Sequence, residues 1–170
     1  MTVVRPAVLD DADQLARIHV DTWRATYTGL VPDTMIAALS LSGSVERWHE
    51  VLPITPPRHC FVALDLAGDV IGFVRRSPSR DEGATRTTGE VQSLYVHPGH
   101  WNTGAGRALL DTATQELRSD GFINATLWVL AGNTRARRFY ERCGWRTDGR
   151  TKQDQRQGAV LDEVSYQRRL

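Results

Sequence analysis

The stretch Leu94-Tyr-Val-His-Pro-Gly-His-Trp-Asn-Thr-Gly-Ala-Gly-Arg-Ala-Leu-Leu110 joins two kinds of local structure through one turn. A β-prone run over 90–96 stops at Pro98-Gly99, and a turn carrying Gly104 and Gly106 follows. Ala105, Ala108, Leu109, Ala113 and Leu117 then recur at three-to-four spacing, which predicts a helix over 104–119. The first turn of such a helix leaves backbone N–H groups without intrahelical partners at the positive end of its dipole, a place that suits phosphate or pyrophosphate. Glycines let a phosphate approach without a Cβ in the way. No Gly-Lys-Ser/Thr follows, so this is not a Walker A loop, and the third glycine of the dinucleotide fingerprint is missing. Taken alone, the glycines are explained equally well by a plain tight turn.

Alternating strands and helices extend outward from this unit. Upstream, 60–64 and 70–74 are β-rich runs around Asp65-Leu-Ala-Gly-Asp69, a hairpin signature. Residues 77–89 are polar and read as a mobile loop. At the start, 2–5 is β-prone and is stopped by Pro6. A helix is predicted over 10–27, with Asp10 or Asp11 as cap and Gln14 three residues after Asp11. Leu15, Ile18 and Thr22 make one helical stripe and Ala16, Val20, Trp23 and Tyr27 another, so burial on more than one side is expected. Gly29 suits a left-handed C-cap, and Pro32 opens a helix over 33–39. A third helix over 44–52 is closed by Pro53 and the Pro56-Pro57 pair. Downstream come a strand over 125–130, a helix over 133–143 with Gly144 as C-cap, and two final strands suggested by Trp145 and by 161–166. No repeat or linker divides the chain, which reads as a single domain over 1–170 of mixed α/β class.

Composition narrows the function. The 170 residues are 41% hydrophobic and 24% charged, with 21 Lys+Arg against 20 Asp+Glu and a formal net charge of +1. Nothing in that balance calls for nucleic acid or a membrane as partner. Two cysteines, Cys60 and Cys143, make neither a disulfide framework nor a ligand-spaced pair, and His59-Cys60 is no metal motif. With no apolar leader and no run long enough to span a bilayer, a soluble, reduced, cytoplasmic domain without a metal is expected.

A second segment carries more chemistry: Leu127-Trp-Val-Leu-Ala-Gly-Asn-Thr-Arg-Ala-Arg-Arg-Phe-Tyr-Glu-Arg-Cys-Gly-Trp145. With the glycine turn, it resembles the acetyl-CoA-binding core of the GCN5-related N-acetyltransferases (GNAT). The turn corresponds to that family's Q/R-x-x-G-x-G/A pyrophosphate loop. The second segment corresponds to its strand followed by N-x-x-A-x-x-F-Y-E-x-x-G-F/W. The resemblance implies a central, mostly antiparallel mixed sheet with a splayed strand pair and flanking helices. It also implies an N-acetyltransferase that uses acetyl-CoA as co-substrate and a primary amine as acceptor, by direct attack in a ternary complex. A small-molecule acceptor is slightly favoured over a protein N-terminus or lysine. The alternative is a non-catalytic acyl-CoA-binding sensor or regulatory module.

Residue by residue, the resemblance assigns cofactor contacts to Leu94, Tyr95 and Val96 on the strand. It assigns others to Asn102, Thr103, Gly104, Ala105, Gly106 and Arg107 in the loop, and to Asn133, Ala136 and Tyr140. One departure stands out, Trp101 in place of the family's Gln or Arg, either as a cover over the loop or as a direct contact. Tyr140 matches the tyrosine that protonates the departing thiolate, a role the Phe-Tyr-Glu match favours over simple packing beside Phe139. Asn133 is expected to cap its helix and contact pantetheine. Glu90 holds a position often used for the general base, or is a strand-end acid; His97 and Tyr95 are substitutes. Trp23 and Tyr27, with the loop over 28–32, are candidates for acceptor contact, or pack under the sheet. Asp21 and Asp33 are isolated, which gives no support to a polycation. Arg135, Arg137, Arg138 and Arg142 read as a solvated helix face, one or two of them near the 3′-phosphate, and Cys143 as a small core residue. Dimers are common in the family, and the last strand, ending at Leu170, offers an edge to a second copy, which leaves a homodimer open without deciding the assembly.

Overall fold

In a computed structural model, which describes residues 2–53, 56, 58–156 and 158–170, one sheet runs in the order β1-β2-β3-β4-β5-β7-β6. Its strands are β1 (Val3–Pro6), β2 (His59–Leu64), β3 (Val70–Pro78), β4 (Thr88–Val96), β5 (Asn124–Leu130), β6 (Arg146–Arg156) and β7 (Ala159–Arg169). The helices are α1 (Ala12–Tyr27), α2 (Asp33–Ala37), α3 (Leu41–Val51), α4 (Ala105–Ser119) and α5 (Thr134–Arg142). All neighbouring strands are antiparallel except β4 and β5. This parallel pair is hydrogen-bonded only where Thr88, Gly89 and Glu90 face Asn124, Ala125 and Thr126. Beyond that point the two strands part, giving the splay that the resemblance implied. A bulge accompanies the parting: Arg75 faces Ser93 and Arg76 faces Val91, which leaves Gln92 as the extra residue on β4. Bulges bend and twist the strand that carries them.

Both faces of the sheet are covered. On β2, Cys60 and Val62 pack with Leu15, Ile18, Trp48 and Leu52 of α1 and α3 and the residue after it. Phe61 and Ala63 instead join the cluster that holds Leu109, Leu110, Ala113 and Leu117 of α4. Burial on both sides explains why β2 reads as a continuous apolar run and not as an alternation. In α1, Ala12, Leu15, Ala16, Ile18, Val20 and Thr22 are all buried, the wide sector the two stripes required. Arg76 is buried at the end of α4, where its guanidinium pairs with Asp120 and lies 3.7 Å from Glu116. A cation there also meets the negative end of the helix dipole.

Some sequence expectations are corrected. Asp11 does not cap α1 with its side chain. It accepts two bonds from Arg5, at 2.7 and 2.8 Å, and one from Val8 N at 2.8 Å, closing the 3-10 turn before the helix. Burial opposes that carboxylate's charge, but these donors hold its pKa below the usual range. Gln14 reaches β3 instead, accepting from Val70 N at 3.0 Å. The loop over 77–89 is shorter than expected, since β3 runs to Pro78 and β4 starts at Thr88. Ser77 is buried in a strand because its hydroxyl donates to Pro78 O and accepts from Gln92 Nε2, so polarity there does not mean exposure. The helix over 44–52 begins earlier, at Leu41, with the Ser40 hydroxyl accepting from Gly43 N. Of the Pro56-Pro57 stop, Pro57 lies outside the described residues. Trp145 precedes β6, a largely exposed polar edge strand with no alternation to betray it. Among the described residues no helix is long and apolar enough to cross a membrane.

Gly72 marks the tightest point of the β3–β4 pairing. A Cβ there would stand 2.8 Å from the Tyr95 carbonyl oxygen and 3.1 Å from both Leu109 Cδ1 and Val96 Cγ2. Gly72→Ala is expected to cost about 1–3 kcal/mol by overpacking. Thermal unfolding should register this as a fall in Tm of roughly 2–12 °C.

Candidate active site

The gap between β4 and β5 is a cleft of about 560 Å³. The backbone of β4 forms one wall. His97 N donates to Ile71 O at 2.8 Å, so by the two-residue alternation Tyr95 also turns its backbone toward β3. Leu94 and Val96 therefore turn their N–H and C=O groups into the gap, as an unpaired strand edge. The Val96 carbonyl is already used, accepting from Trp101 Nε1 at 2.7 Å and Thr22 Oγ1 at 3.2 Å. What remains free to a ligand there is the Val96 N–H and the Leu94 groups.

One end of the cleft is the glycine turn. Asn102 has φ 63° and Gly104 φ 93°. Nothing lies within 4 Å of a Cβ built on Gly104, so that glycine is required by its backbone conformation and not by space. Gly106 is the opposite case: its φ is ordinary and the nearest atom to an added Cβ is Phe139 Cζ, at 3.5 Å. Protein packing does not demand a glycine there, and its open face lines the cleft. No side chain caps α4, and Ala108 N is the N–H that closes the first helical turn, donating to Gly104 O at 3.0 Å. The N–H groups of Ala105, Gly106 and Arg107 are thus directed out of the helix end, where a phosphate fits.

Asn102, Gly104, Gly106 and Arg107 line the cleft; Thr103 and Ala105 do not. The Thr103 hydroxyl folds back to His100 O at 2.8 Å, and Ala105 is fully buried, leaving only its backbone available. Arg107 pairs with Asp111 at 2.8 Å one turn along. Trp101 lines the cleft and is pinned by its bond to Val96 O, while the Arg135 guanidinium lies 3.3 Å above its ring. Arg135 stays exposed, as a solvated face requires, while partial burial of its guanidinium against Trp101 lowers its pKa.

On the opposite wall, Asn133 caps α5, accepting from Ala136 N at 3.1 Å, and both residues line the cleft. Tyr140 does too, packed between Phe139, Trp145 and Tyr166 with ring separations of 5.3, 6.4 and 6.2 Å. Burial, followed by the neighbouring Tyr95 and Cys143, pushes its hydroxyl far above the ordinary phenol range. Cys143 lies at the cleft edge, and burial raises its thiol, so it is not an activated nucleophile.

At the other end, Trp23, Tyr27 and Tyr95 come together. Trp23 Nε1 donates to the Tyr95 hydroxyl at 3.2 Å, and the Trp23 and Tyr27 rings are 4.6 Å apart. Trp23 and Tyr27 both line the cleft and pack against the small cluster of Val31, Met35 and Leu161.

Glu90 is not brought to the site. It is buried beside the paired end of β4, away from the cleft lining. Its carboxylate accepts from Arg80 N, Nε and Nη2 at 3.0, 3.1 and 2.6 Å. A carboxylate held by three donors in this way braces the loop before β4. His97 also stands outside, 3.5 Å from Asp21. Sequence reasoning missed Trp128, Arg156 and Glu163, which line the cleft. A signal for one of them was present: Leu161, Glu163 and Ser165 share a strand face by period two, and an acid on a core-facing position is unusual. Among the described residues no group of three or more His, Cys, Asp and Glu side chains is placed to hold a metal ion.

Comparison with known proteins agrees with this geometry. The Acetyltransferase (GNAT) family matches residues 14–145. An uncharacterized N-acetyltransferase of Bacillus subtilis, YuaI, is 33% identical over 133 residues, covering 78% of this chain and 74% of that one. Among solved structures, the ribosomal-protein-alanine N-acetyltransferase from Brucella melitensis superposes with TM-score 0.75 at 25% identity, over 99% of each chain. The PaiA N-acetyltransferase from Thermoplasma acidophilum, solved in complex with coenzyme A, has the same fold, with TM-score 0.74 at 17% identity over 100% and 99% of the two chains.

The contrast between the two glycines is testable. Gly106→Val should fold normally and lose at least tenfold in acetyl-CoA affinity by calorimetric titration. Gly104→Ala should lower stability by about 1–2 kcal/mol, because a left-handed φ then carries a Cβ.

Proposed function

This chain belongs to the GNAT acetyltransferase family, and from that premise we propose that it transfers the acetyl group of acetyl-CoA to a primary amine by direct attack within a ternary complex. The observation that carries the reading is the open edge of β4, with Leu94 and Val96 turned into a cleft that has the glycine turn at one end and Tyr140 opposite. Acetyl-CoA supplies the thioester. The N–H groups opening α4 bind its pyrophosphate, and Gly106 lets that group come close. The free backbone groups of Leu94 and Val96 hydrogen-bond the pantetheine amides as an added strand would. An N–H fixed on this edge also stabilises negative charge on the thioester oxygen as the amine adds.

Tyr140 then donates its proton to the departing thiolate as the C–S bond breaks. Because burial raises its pKa, the phenol stays protonated, and competent as a donor, throughout the neutral and mildly alkaline range. Proton balance is simple: the ammonium form of the acceptor loses two protons on becoming an amide. One restores the proton that Tyr140 passed to sulfur, and solvent receives the other. No covalent acetyl-enzyme is required.

A small-molecule acceptor fits best, since Trp23, Tyr27, Tyr95 and Trp128 wall the acceptor end on several sides. A protein N-terminus is the second reading, favoured by the likeness to the ribosomal-protein-alanine N-acetyltransferase from Brucella melitensis.

Acetyl-CoA should bind in calorimetric titration while ATP and NAD do not. Tyr140→Phe is expected to reduce kcat by about 10²-fold while leaving the acetyl-CoA Kd unchanged. Wild-type kcat should not fall between pH 7 and 9, since the donor stays protonated. Acetyl-CoA binding with no turnover of any amine, and no effect of Tyr140→Phe, would instead identify an acyl-CoA sensor.

A further inference from the structure

Glu163 is the single carboxylate among the described residues that line the cleft. On β7 it stands opposite Leu130 of β5 and Lys152 of β6, in the end of the cleft away from the glycine turn. Its residue is only 6% exposed, yet Oε2 has no hydrogen-bond partner. A buried acceptor atom without a donor costs free energy and calls for an explanation, commonly a ligand that is not present.

Two cations pair with its charge but leave Oε2 without a hydrogen bond. Lys152 Nζ is 3.2 Å from Oε2 without hydrogen-bond geometry, and Arg156 Nη2 is 3.6 Å from Oε1. Both are long side chains left 41% and 46% exposed, free to swing toward water. Arg156 is also held by Asp154. The contrast with Glu90 is instructive, since three Arg80 donors fill that carboxylate.

Around Glu163 the walls suit a cation. Trp23, Tyr27, Tyr95 and Trp128 line the same end of the cleft. The Trp128 ring already attracts Lys152 Nζ at 4.3 Å. Arg107, Arg135 and Arg142 line the cleft toward the loop and α5, where phosphates belong, and the lone acid lies at the other end with Arg156 beside it.

We propose that Glu163 binds the ammonium group of the acceptor, with Lys152 as a place-holder that the substrate displaces. The acceptor is then a cationic primary amine carried on an aromatic or apolar body. This rests on the acetyl-transfer reading of the same cleft.

The test uses the full chain saturated with coenzyme A, so that no turnover occurs, titrated calorimetrically with phenethylamine and, separately, with 3-phenylpropionate. Phenethylamine should bind and 3-phenylpropionate should not. Glu163→Gln should weaken phenethylamine at least tenfold while the coenzyme A Kd is unchanged. Lys152→Met should strengthen phenethylamine binding three- to tenfold, an opposite sign that a merely structural role for the ion pair would not give. This second variant also decides the matter if Glu163→Gln does not fold. Preferential binding of 3-phenylpropionate would overturn the proposal in favour of an anion held by Lys152 and Arg156. Failure of phenethylamine to bind at millimolar concentration, unchanged affinity in Glu163→Gln, or weaker binding in Lys152→Met would overturn it as well. A protein that binds no coenzyme A fails the acetyl-transfer reading itself, which separates the two failures.

Discussion

The rest of the molecule depends on a ladder that is left unfinished. β4 and β5 pair over Thr88–Glu90 and Asn124–Thr126 and then separate. Unpaired N–H and C=O groups inside a protein are costly, so a sheet broken at its centre must find other partners for them. The Val96 carbonyl is paid for from within, by Trp101 and Thr22. The N–H groups and the Leu94 edge are not, and they face a cleft large enough for an extended ligand. Incomplete pairing is thus the physical origin of the binding site, and the bulge at Gln92 is where the strand turns away.

Buried polar atoms without hydrogen-bond partners occur on the cleft and away from it, since Arg76 Nε and Nη2 and Trp145 Nε1 are without them as well as Glu163 Oε2. Glu90, Asp11 and Arg76 are buried and charged, and each is paired with an opposite charge that fastens two segments together. Such pairs hold the frame. The opening of α4 and the Glu163 Oε2 atom lack partners, and both lie on the cleft. A protein of this size tolerates a few such atoms where the gain comes on binding.

Much of this was legible from residue order. The strand–turn–helix unit, the capping Asn133, the Gly144 stop with φ 82°, and the wide apolar sector of α1 are all local or nearly local features. Local features leave periodic traces. The polar edge strand β6 left none, because an exposed strand with both faces wet needs no alternation. Likewise Ser77 and Thr88 were read as loop, since their place in strands rests on bonds across the β3–β4 pair, from Gln92 to Ser77 and from Ser79 to Thr88. Asp11 and Gln14 fit the spacing of a capping box, but Arg5 and Val70, brought close by the sheet, competed successfully for them.

By itself, the sequence determined that this is an α/β domain with a phosphate-ready glycine turn, a capped helix bearing Tyr140, and a family resemblance carried by both. These follow from backbone preferences and short-range spacing, which any folded context must respect. Only the tertiary structure decided which acids face the cleft. Glu90 and Glu163 are both buried strand glutamates, and nothing local separates them. Arg80 folds back on one, while the other is presented across the gap by β7, a strand from the far end of the chain. Whether a carboxylate is filled or free depends on donors that only long-range packing brings within reach.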